Sequence, residues 1–259
     1  MIKTYVAFDL ETTGLNVEND NIIEIGALKV QDGKVVERFM EFLKPDEPIS
    51  PMITGITGIT NEMVKDARNT EDIICDFVSF CEDHVLVGHN IMFDYKFTKK
   101  YAHQYGETFE KKGIDTLKIA RKVHNNLESK SLGALCEHYQ IVNNAAHRAY
   151  HDALATAKIY HMLAHYFEPA EPQLFEPEQL LYRPKKVQPI TPKQKNYLDT
   201  LLLKHRIIPQ KKIEELTRSE ASKMIDRIIL QYGKWKFKLF TDKKMRYTNA
   251  FCGMIVRQK

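Results

Sequence analysis

Asp9 and Glu11 stand one residue apart at the end of an apolar run, Tyr5-Val6-Ala7-Phe8. Alternate residues of a strand point to the same face, so the two carboxylates project together. Two like charges held side by side repel unless something positive lies between them. Hard divalent cations prefer oxygen ligands, which makes Mg²⁺ or Mn²⁺ the natural partner. An Asp-x-Glu alone is common at solvated strand edges. This one follows a run that reads as a buried strand, where unpartnered carboxylates are costly.

Two further segments bring acids of the same kind. In Val85-Leu86-Val87-Gly88-His89-Asn90-Ile91-Met92-Phe93-Asp94 a short strand ends at Gly88 and a helical pattern begins, with Asn90 expected as its N-cap. Asp94 falls one turn into that helix, near the strand's carboxyl end, where functional groups gather in open α/β sheets. Taken by itself, Asp94 reads more simply as a first-turn acid favoured by the helix dipole. In His147-Arg148-Ala149-Tyr150-His151-Asp152 an Ala-rich helix is expected from Asp152 to about Phe167. Ala149, Ala153 and Ala157 recur every four residues and give it a small face for close packing. His147 precedes Asp152 by five residues, and an imidazole can take a proton from water near neutral pH.

Together the segments resemble the DEDDh exonucleases, the family of the proofreading epsilon subunit of bacterial DNA polymerase III, ribonuclease T and oligoribonuclease. The first block is Phe8-Asp9-Leu10-Glu11-Thr12-Thr13-Gly14-Leu15, the second His89-Asn90-Ile91-Met92-Phe93-Asp94, the third His147 to Asp152. The tyrosine-bearing subgroup has a tyrosine four residues before the last Asp. Arg148 stands there, so the histidine subgroup fits better. Tyr150 and His151 are less usual choices at positions that the pattern leaves free. The resemblance covers residues 1–168.

It implies an α/β, RNase-H-like fold: a mixed five-stranded sheet, three strands antiparallel and two parallel, flanked by helices. It implies 3′→5′ hydrolysis of phosphodiesters with two divalent ions, Mg²⁺ or Mn²⁺, which stabilise the attacking and leaving oxygens from roughly 3.5–4 Å apart. By family analogy Asp9 bridges both ions, Glu11 and Asp152 complete one site, and Asp94 supports the other, in part through water. His147 is the general base. Thr12, Thr13, Gly14 and Leu15 are expected at the terminal nucleotide, Leu15 against the last base, although an ordinary core leucine is an equal reading of Leu15. Asn90 and Phe93 are carried as further substrate contacts. DNA is favoured over RNA, in proofreading or repair, with single-stranded 3′ ends as partner. A polymerase would be served in trans. The alternatives are an RNA-trimming exoribonuclease and a non-catalytic nucleic-acid-binding scaffold; the intact acids and His147 argue against the scaffold.

The rest of the chain is expected to serve these segments. Residues 21–30 and 35–43 read as strands joined by a tight turn at Asp32-Gly33. Residues 53–60 read as a loop before a helix, residues 70–83 and 131–139 as helices, and Ile114-Asp115-Thr116 as a strand end. Length allows a full core and a second module. Hydrophobic content of 43% and charged content of 28% place the chain among globular proteins. No apolar run approaches the roughly 20 residues of a membrane span, and the N-terminus reads as a strand rather than a signal peptide. Cys75, Cys81, Cys136 and Cys252 form no Cys-x-x-Cys pair, which suits a reducing cytoplasm.

The net charge of +4 hides a split: residues 1–184 carry 19 Lys+Arg and 28 Asp+Glu, a net of −9, whereas residues 185–259 carry 19 and 6, a net of +13. Residues 169–190 hold five of the ten prolines and read as a semi-rigid linker. Within it, Gln173-Leu174-Phe175 and Gln179-Leu180-Leu181-Tyr182 loosely resemble peptides that dock on bacterial sliding clamps. Residues 191–259 read as a small, basic, mainly helical module. Thr191-Pro192-Lys193-Gln194 and Thr217-Arg218-Ser219-Glu220 are capping boxes that start two helices. In Lys234-Trp235-Lys236-Phe237-Lys238 lysines alternate with apolar residues. The charge points to phosphate binding. Trp235 and Phe237 suit the module's own core better than base stacking.

Overall fold

The computed structural model describes residues 1–143, 146–185, 188–209 and 212–233. The chain divides into two compact units, Met1–Val187 and Gln188–Lys259.

The first unit is built on a six-stranded sheet in the order β3-β2-β1-β4-β5-β6. Its strands are β1 Tyr5–Thr12, β2 Ile22–Gln31, β3 Lys34–Phe42, β4 Leu86–Gly88, β5 Lys112–Asp115 and β6 Glu178–Gln179. β1–β2 and β2–β3 pair antiparallel, β4 and β5 run parallel to β1, and β6 runs antiparallel to β5. This is the RNase-H-like arrangement, with one strand more than the five expected. Asp32 and Gly33, at φ 50° and 80°, make the tight turn between β2 and β3.

β1 sorts its side chains by alternation. Val6, Phe8 and Leu10 enter the core shared with α3 (Thr70–Cys81) and α4 (Met92–Gln104). Tyr5 and Ala7 enter the core shared with α7 (Ala149–Phe167). Asp9 and Glu11 continue the second row. α7 begins three residues before the expected start, and Ala149, Ala153 and Ala157 are all buried. The approach is so close that a Cβ on Gly26 would lie 1.9 Å from the Tyr150 backbone nitrogen. Helices α5 (Thr116–Val123) and α6 (Leu132–His138) follow β5, α6 capped by Ser131.

Three expectations change. Residues 53–60 are not a loop: α1 spans Pro51–Thr57, and a second short helix, α2, spans Asn61–Val64. Ser50 caps α1, Pro51 opens it and Gly58, at φ 71°, closes it, a complete set of helix signals. Asn90 is not an N-cap. It sits at φ 68°, and Ile91 caps α4 without a side-chain bond. The expected linker is structured up to Tyr182. Pro172–Phe175 form a 3₁₀ turn and Glu178–Gln179 form β6. Phe175 packs near Tyr160, and Leu180 fills the space over Gly113, where a Cβ would meet its Cδ1 at 2.8 Å. The first unit therefore runs beyond residue 168. One residue of each clamp-like peptide, Phe175 and Leu180, is thus buried, whereas Leu181 is 75% exposed.

In the second unit α8 (Pro192–His205) and α9 (Arg218–Tyr232) both start at complete capping boxes. Leu198, Leu201, Leu202, Ala221, Ile225 and Ile228 form its core. Trp235, Phe237 and Cys252 lie outside the described residues. Among the described residues Cys75, Cys81 and Cys136 are free thiols, and no helix is long and apolar enough to cross a membrane.

Candidate active site

The carboxyl ends of β1 and β4 meet the first turns of α4 and α7, and the acids converge there. Asp9 lies opposite Gly26 and Glu11 opposite Glu24 in the β1–β2 register. β4 pairs with β1 only as far as Ala7–Val87. Beyond that point the Leu10 N–H has no strand partner on this side, and it donates to Asp94 Oδ1 at 3.1 Å. A backbone donor is thereby satisfied, and Asp94, 3% exposed, is tied to the strand carrying Asp9 and Glu11.

Asp152, 8% exposed, occupies the first turn of α7. Its Oδ1 accepts from Asn143 Nδ2 at 2.7 Å and its Oδ2 from the His147 N–H at 2.9 Å. His147 is exposed and left-handed, at φ 63°. Ligand atoms of Glu11, His147 and Asp152 all lie within 4.8 Å of one another. Two ligands on opposite sides of a Mg²⁺ ion are about 4.2 Å apart, given bonds of 2.0–2.1 Å. The three groups thus stand at separations on the scale of one ion's coordination sphere. Asp9 and Asp94 stand outside that trio but share its field.

The electrostatics call for a cation. Burial pushes the Asp9 carboxyl well above the usual range, and the charges of Asp94, Asp152, Glu11 and Glu24 push it further. Glu11 is pushed up to about 8 by burial and by Asp152 and Glu24, against the opposing Arg148. Burial also raises Asp94 well above its ordinary value and raises Asp152 despite its two donors. Clustered carboxylates that resist ionising are those a divalent cation would relieve, because the ion inverts the local balance. The donor set, carboxylate oxygens with one imidazole, fits Mg²⁺ or Mn²⁺.

Thr12 ends β1, and Thr13, Gly14 and Leu15 form the loop leaving it. Thr12 Oγ1 donates to the Gly14 carbonyl at 2.7 Å, and Thr13 Oγ1 accepts the Asn21 N–H at 2.9 Å. Gly14 lies against Asp20, where a Cβ would meet Oδ2 at 2.5 Å. Leu15 is 85% exposed, so it is no core leucine. Asn90 is exposed and its N–H donates to Asp115 Oδ1 at 2.9 Å, whereas Phe93 is half-buried against Phe97.

Four residues that support the site were missed in the sequence. Glu24 grips Arg148, Gly26 admits α7, Asn143 holds Asp152, and His89 bridges Thr116 Oγ1 and the Lys130 carbonyl at 2.9 Å each. Glu24 gave a signal, an acid inside the run Ile22-Ile23-Glu24-Ile25, and His89 opens the second motif block.

Comparison with known proteins agrees with this geometry. The RNase T family model, described as an exonuclease, matches residues 6–160. A PolC-type DNA polymerase III of Caldanaerobacter subterraneus is 44% identical over 156 residues, 60% of this chain but 11% of that protein. The chain thus matches about a tenth of the length of such polymerases. A DNA polymerase III epsilon subunit of Aquifex aeolicus is 38% identical over 158 residues, 61% of this chain and 78% of its own length. Among solved structures, exonuclease X in complex with 5′-overhanging duplex DNA aligns with a TM-score of 0.53 at 28% identity, over 66% of this chain and 96% of that one.

Proposed function

We propose a function from one premise: the chain belongs to the exonuclease family matched over residues 6–160. It is a metal-dependent 3′→5′ exonuclease of the DEDDh type that acts on DNA 3′ ends. The observation that carries this reading is the convergence of Glu11, His147 and Asp152 within 4.8 Å beside buried Asp94 and half-buried Asp9.

A bound pair of Mg²⁺ or Mn²⁺ ions would supply Lewis acidity at the scissile phosphate and at the attacking water. Asp9 would reach both ions, Glu11 and Asp152 would hold one, and Asp94, tied to the Leu10 N–H, would support the other. His147 stands exposed at the mouth of the site and takes the proton of the attacking water. The bond from phosphorus to the 3′-oxygen of the preceding nucleotide breaks, and a nucleoside 5′-monophosphate leaves. Leu15 offers an exposed apolar surface to the terminal base. The loop at Thr12 and Thr13, with Gly14, Asn90 and Phe93, completes the terminal-nucleotide site.

DNA is the substrate suggested by the relatives, which are named as DNA polymerases and a DNA-bound exonuclease. The same relatives make a DNA polymerase the partner of choice, with proofreading as the role. The unit from Gln188 belongs to the stretch with a net charge of +13 and serves to grip phosphates. Free thiols at Cys75, Cys81 and Cys136 suit a reducing cytoplasm.

The test is a 5′-labelled single-stranded oligonucleotide incubated with Mg²⁺ or Mn²⁺, then with EDTA. A ladder of products shortened from the 3′ end, abolished by EDTA, is expected. No metal-dependent ladder on DNA or on a matched RNA would end the exonuclease reading. A ladder on RNA alone would move the substrate.

A further inference from the structure

Asn143 lies in the connection between α6 and α7, nine residues before Asp152. Its amide nitrogen donates to Asp152 Oδ1 at 2.7 Å, while the His147 N–H donates to Oδ2 at 2.9 Å. A carboxylate oxygen has two lone-pair sites, so each donor takes one site and leaves one open on each oxygen. The His147 donor is aimed by a left-handed backbone at φ 63°, a conformation that costs energy in a residue with a side chain. Two separate devices in one connection are thus directed at one carboxylate.

The other half of the amide is unexplained by the protein. Among the described residues, Asn143 Oδ1 is buried and has no hydrogen-bond partner. A buried acceptor without a partner is costly, and such groups mark places for a water or an ion. A hydrated divalent cation arriving at Asp152 brings water with it.

We propose that Asn143 is a positioning residue of the metal site: its amide nitrogen orients Asp152 toward the ion, and its Oδ1 accepts a hydrogen bond from water of the ion's hydration shell. The assignment rests on the reading of Asp152 as a metal ligand. Groups that orient ligands from behind set metal affinity as strongly as many ligands do. A purely structural Asn143 would tie the connection to α7 and leave metal affinity alone.

The 259-residue chain, its Asn143→Leu variant and the smaller Asn143→Ala are titrated with Mn²⁺ by calorimetry without nucleic acid. Melting in EDTA and steady-state kinetics on a single-stranded oligonucleotide follow. Asn143→Leu keeps the side chain's shape and removes both polar atoms; Asn143→Ala keeps the test alive if leucine is not accommodated. Both variants should bind Mn²⁺ about 10–100-fold more weakly and lose kcat by a similar factor. KM for the oligonucleotide should hold, and raised Mn²⁺ should restore part of the activity. Folded variants that retain Mn²⁺ affinity within about twofold, with only a lowered melting temperature in EDTA, overturn the assignment. A wild-type chain that takes up no Mn²⁺ instead overturns the metal reading itself, and this assignment with it.

Discussion

Glu24 and Arg148, 124 residues apart, clamp the start of α7 to β2. Arg148 donates from Nη2 to Oε1 at 2.9 Å and from Nε to Oε1 and Oε2 at 3.2 and 3.3 Å. The next residue joins in: the Ala149 N–H donates to Oε2 at 3.1 Å. Glu24 is 3% exposed and is paired with this arginine, whose guanidinium also lies over the Phe42 ring. The clamp sits between the strand that faces Glu11 and the helix that carries Asp152.

Removing both partners of the clamp should therefore cost less than the two single removals together. Arg148→Ala leaves a buried carboxylate whose remaining donor is the Ala149 N–H. Loss of a buried partner costs about 3–5 kcal/mol; the arginine side chain is 35% exposed, so solvent reduces this to about 1–3 kcal/mol. The double variant Glu24→Ala with Arg148→Ala should lose less than the two single losses added together. Urea unfolding of all four chains measures this coupling, and strict additivity would show that the pair does not act as a unit.

Gly26 makes a sharper steric prediction. A Cβ there would meet the Tyr150 backbone nitrogen at 1.9 Å and the Ala149 carbonyl carbon at 2.2 Å, and backbone cannot swing aside. Gly26→Ala should cost about 3 kcal/mol or more and lower activity by displacing α7. Gly133→Ala is the control, because nothing lies within 4 Å of its Cβ. Alanine in that helical position should be neutral or slightly stabilising. Equal stability of the two variants would contradict the close α7–β2 approach.

What could be read from the sequence follows from how far each interaction reaches along the chain. Asp9 and Glu11 were legible because strand alternation is local. Asp152 and His147 were legible because five residues fix their separation. The capping boxes of α8 and α9 were legible for the same reason. Glu24 was visible as an acid in an apolar run, but its partner lies 124 residues away and no spacing points to it. Asn90 looks like an N-cap until β5 arrives: Asp115 Oδ1 takes its N–H, and a left-handed backbone is the geometry that reaches it. Residues 169–190 read as linker because prolines break every periodicity, yet Phe175 and Leu180 need only a turn and two strand residues to be buried. Asn143 carried no signal, because its role depends on tertiary geometry alone.

The raised carboxylates predict how stability without metal depends on pH. Asp9, Glu11, Asp94 and Asp152 all hold protons more tightly in the fold than an unfolded chain would. Where the folded state binds more protons, stability falls as pH rises. The contribution is full below the ordinary carboxylate range and is lost as pH climbs through about 8, the value for Glu11. In EDTA the melting temperature should drop between about pH 5 and pH 8.5. Mn²⁺ should reverse the trend, because it binds the deprotonated set. A flat profile in EDTA would mean that the acids are not strained.

It follows that neutralising one acid should trade activity for stability. Asp9→Asn keeps the side chain's shape and removes one charge from the cluster. In EDTA at neutral pH its melting temperature should rise above wild type, as expected where a site is strained for function. With Mn²⁺ its kcat should fall by about 10³ or more, since a proposed ligand of the ions is lost. A variant that gained stability and kept its rate would remove Asp9 from the site.

The charge split makes the last prediction. Residues 1–184 carry a net of −9 and residues 185–259 a net of +13, so the stretch with the acids repels phosphates. Affinity for a strand should then come from the basic stretch, through counterion release. The first unit has its own cores, so a chain ending after residue 187 is a fair test. It should bind a single-stranded oligonucleotide more weakly, with log K falling less steeply against log salt by about 0.7 for each phosphate that is no longer neutralised. Its metal-dependent cleavage, driven to saturation with excess oligonucleotide, should persist. Fluorescence anisotropy between about 50 and 200 mM salt gives both the affinity and the slope. An unchanged slope would place the phosphate-binding groups on the first unit, against its net charge.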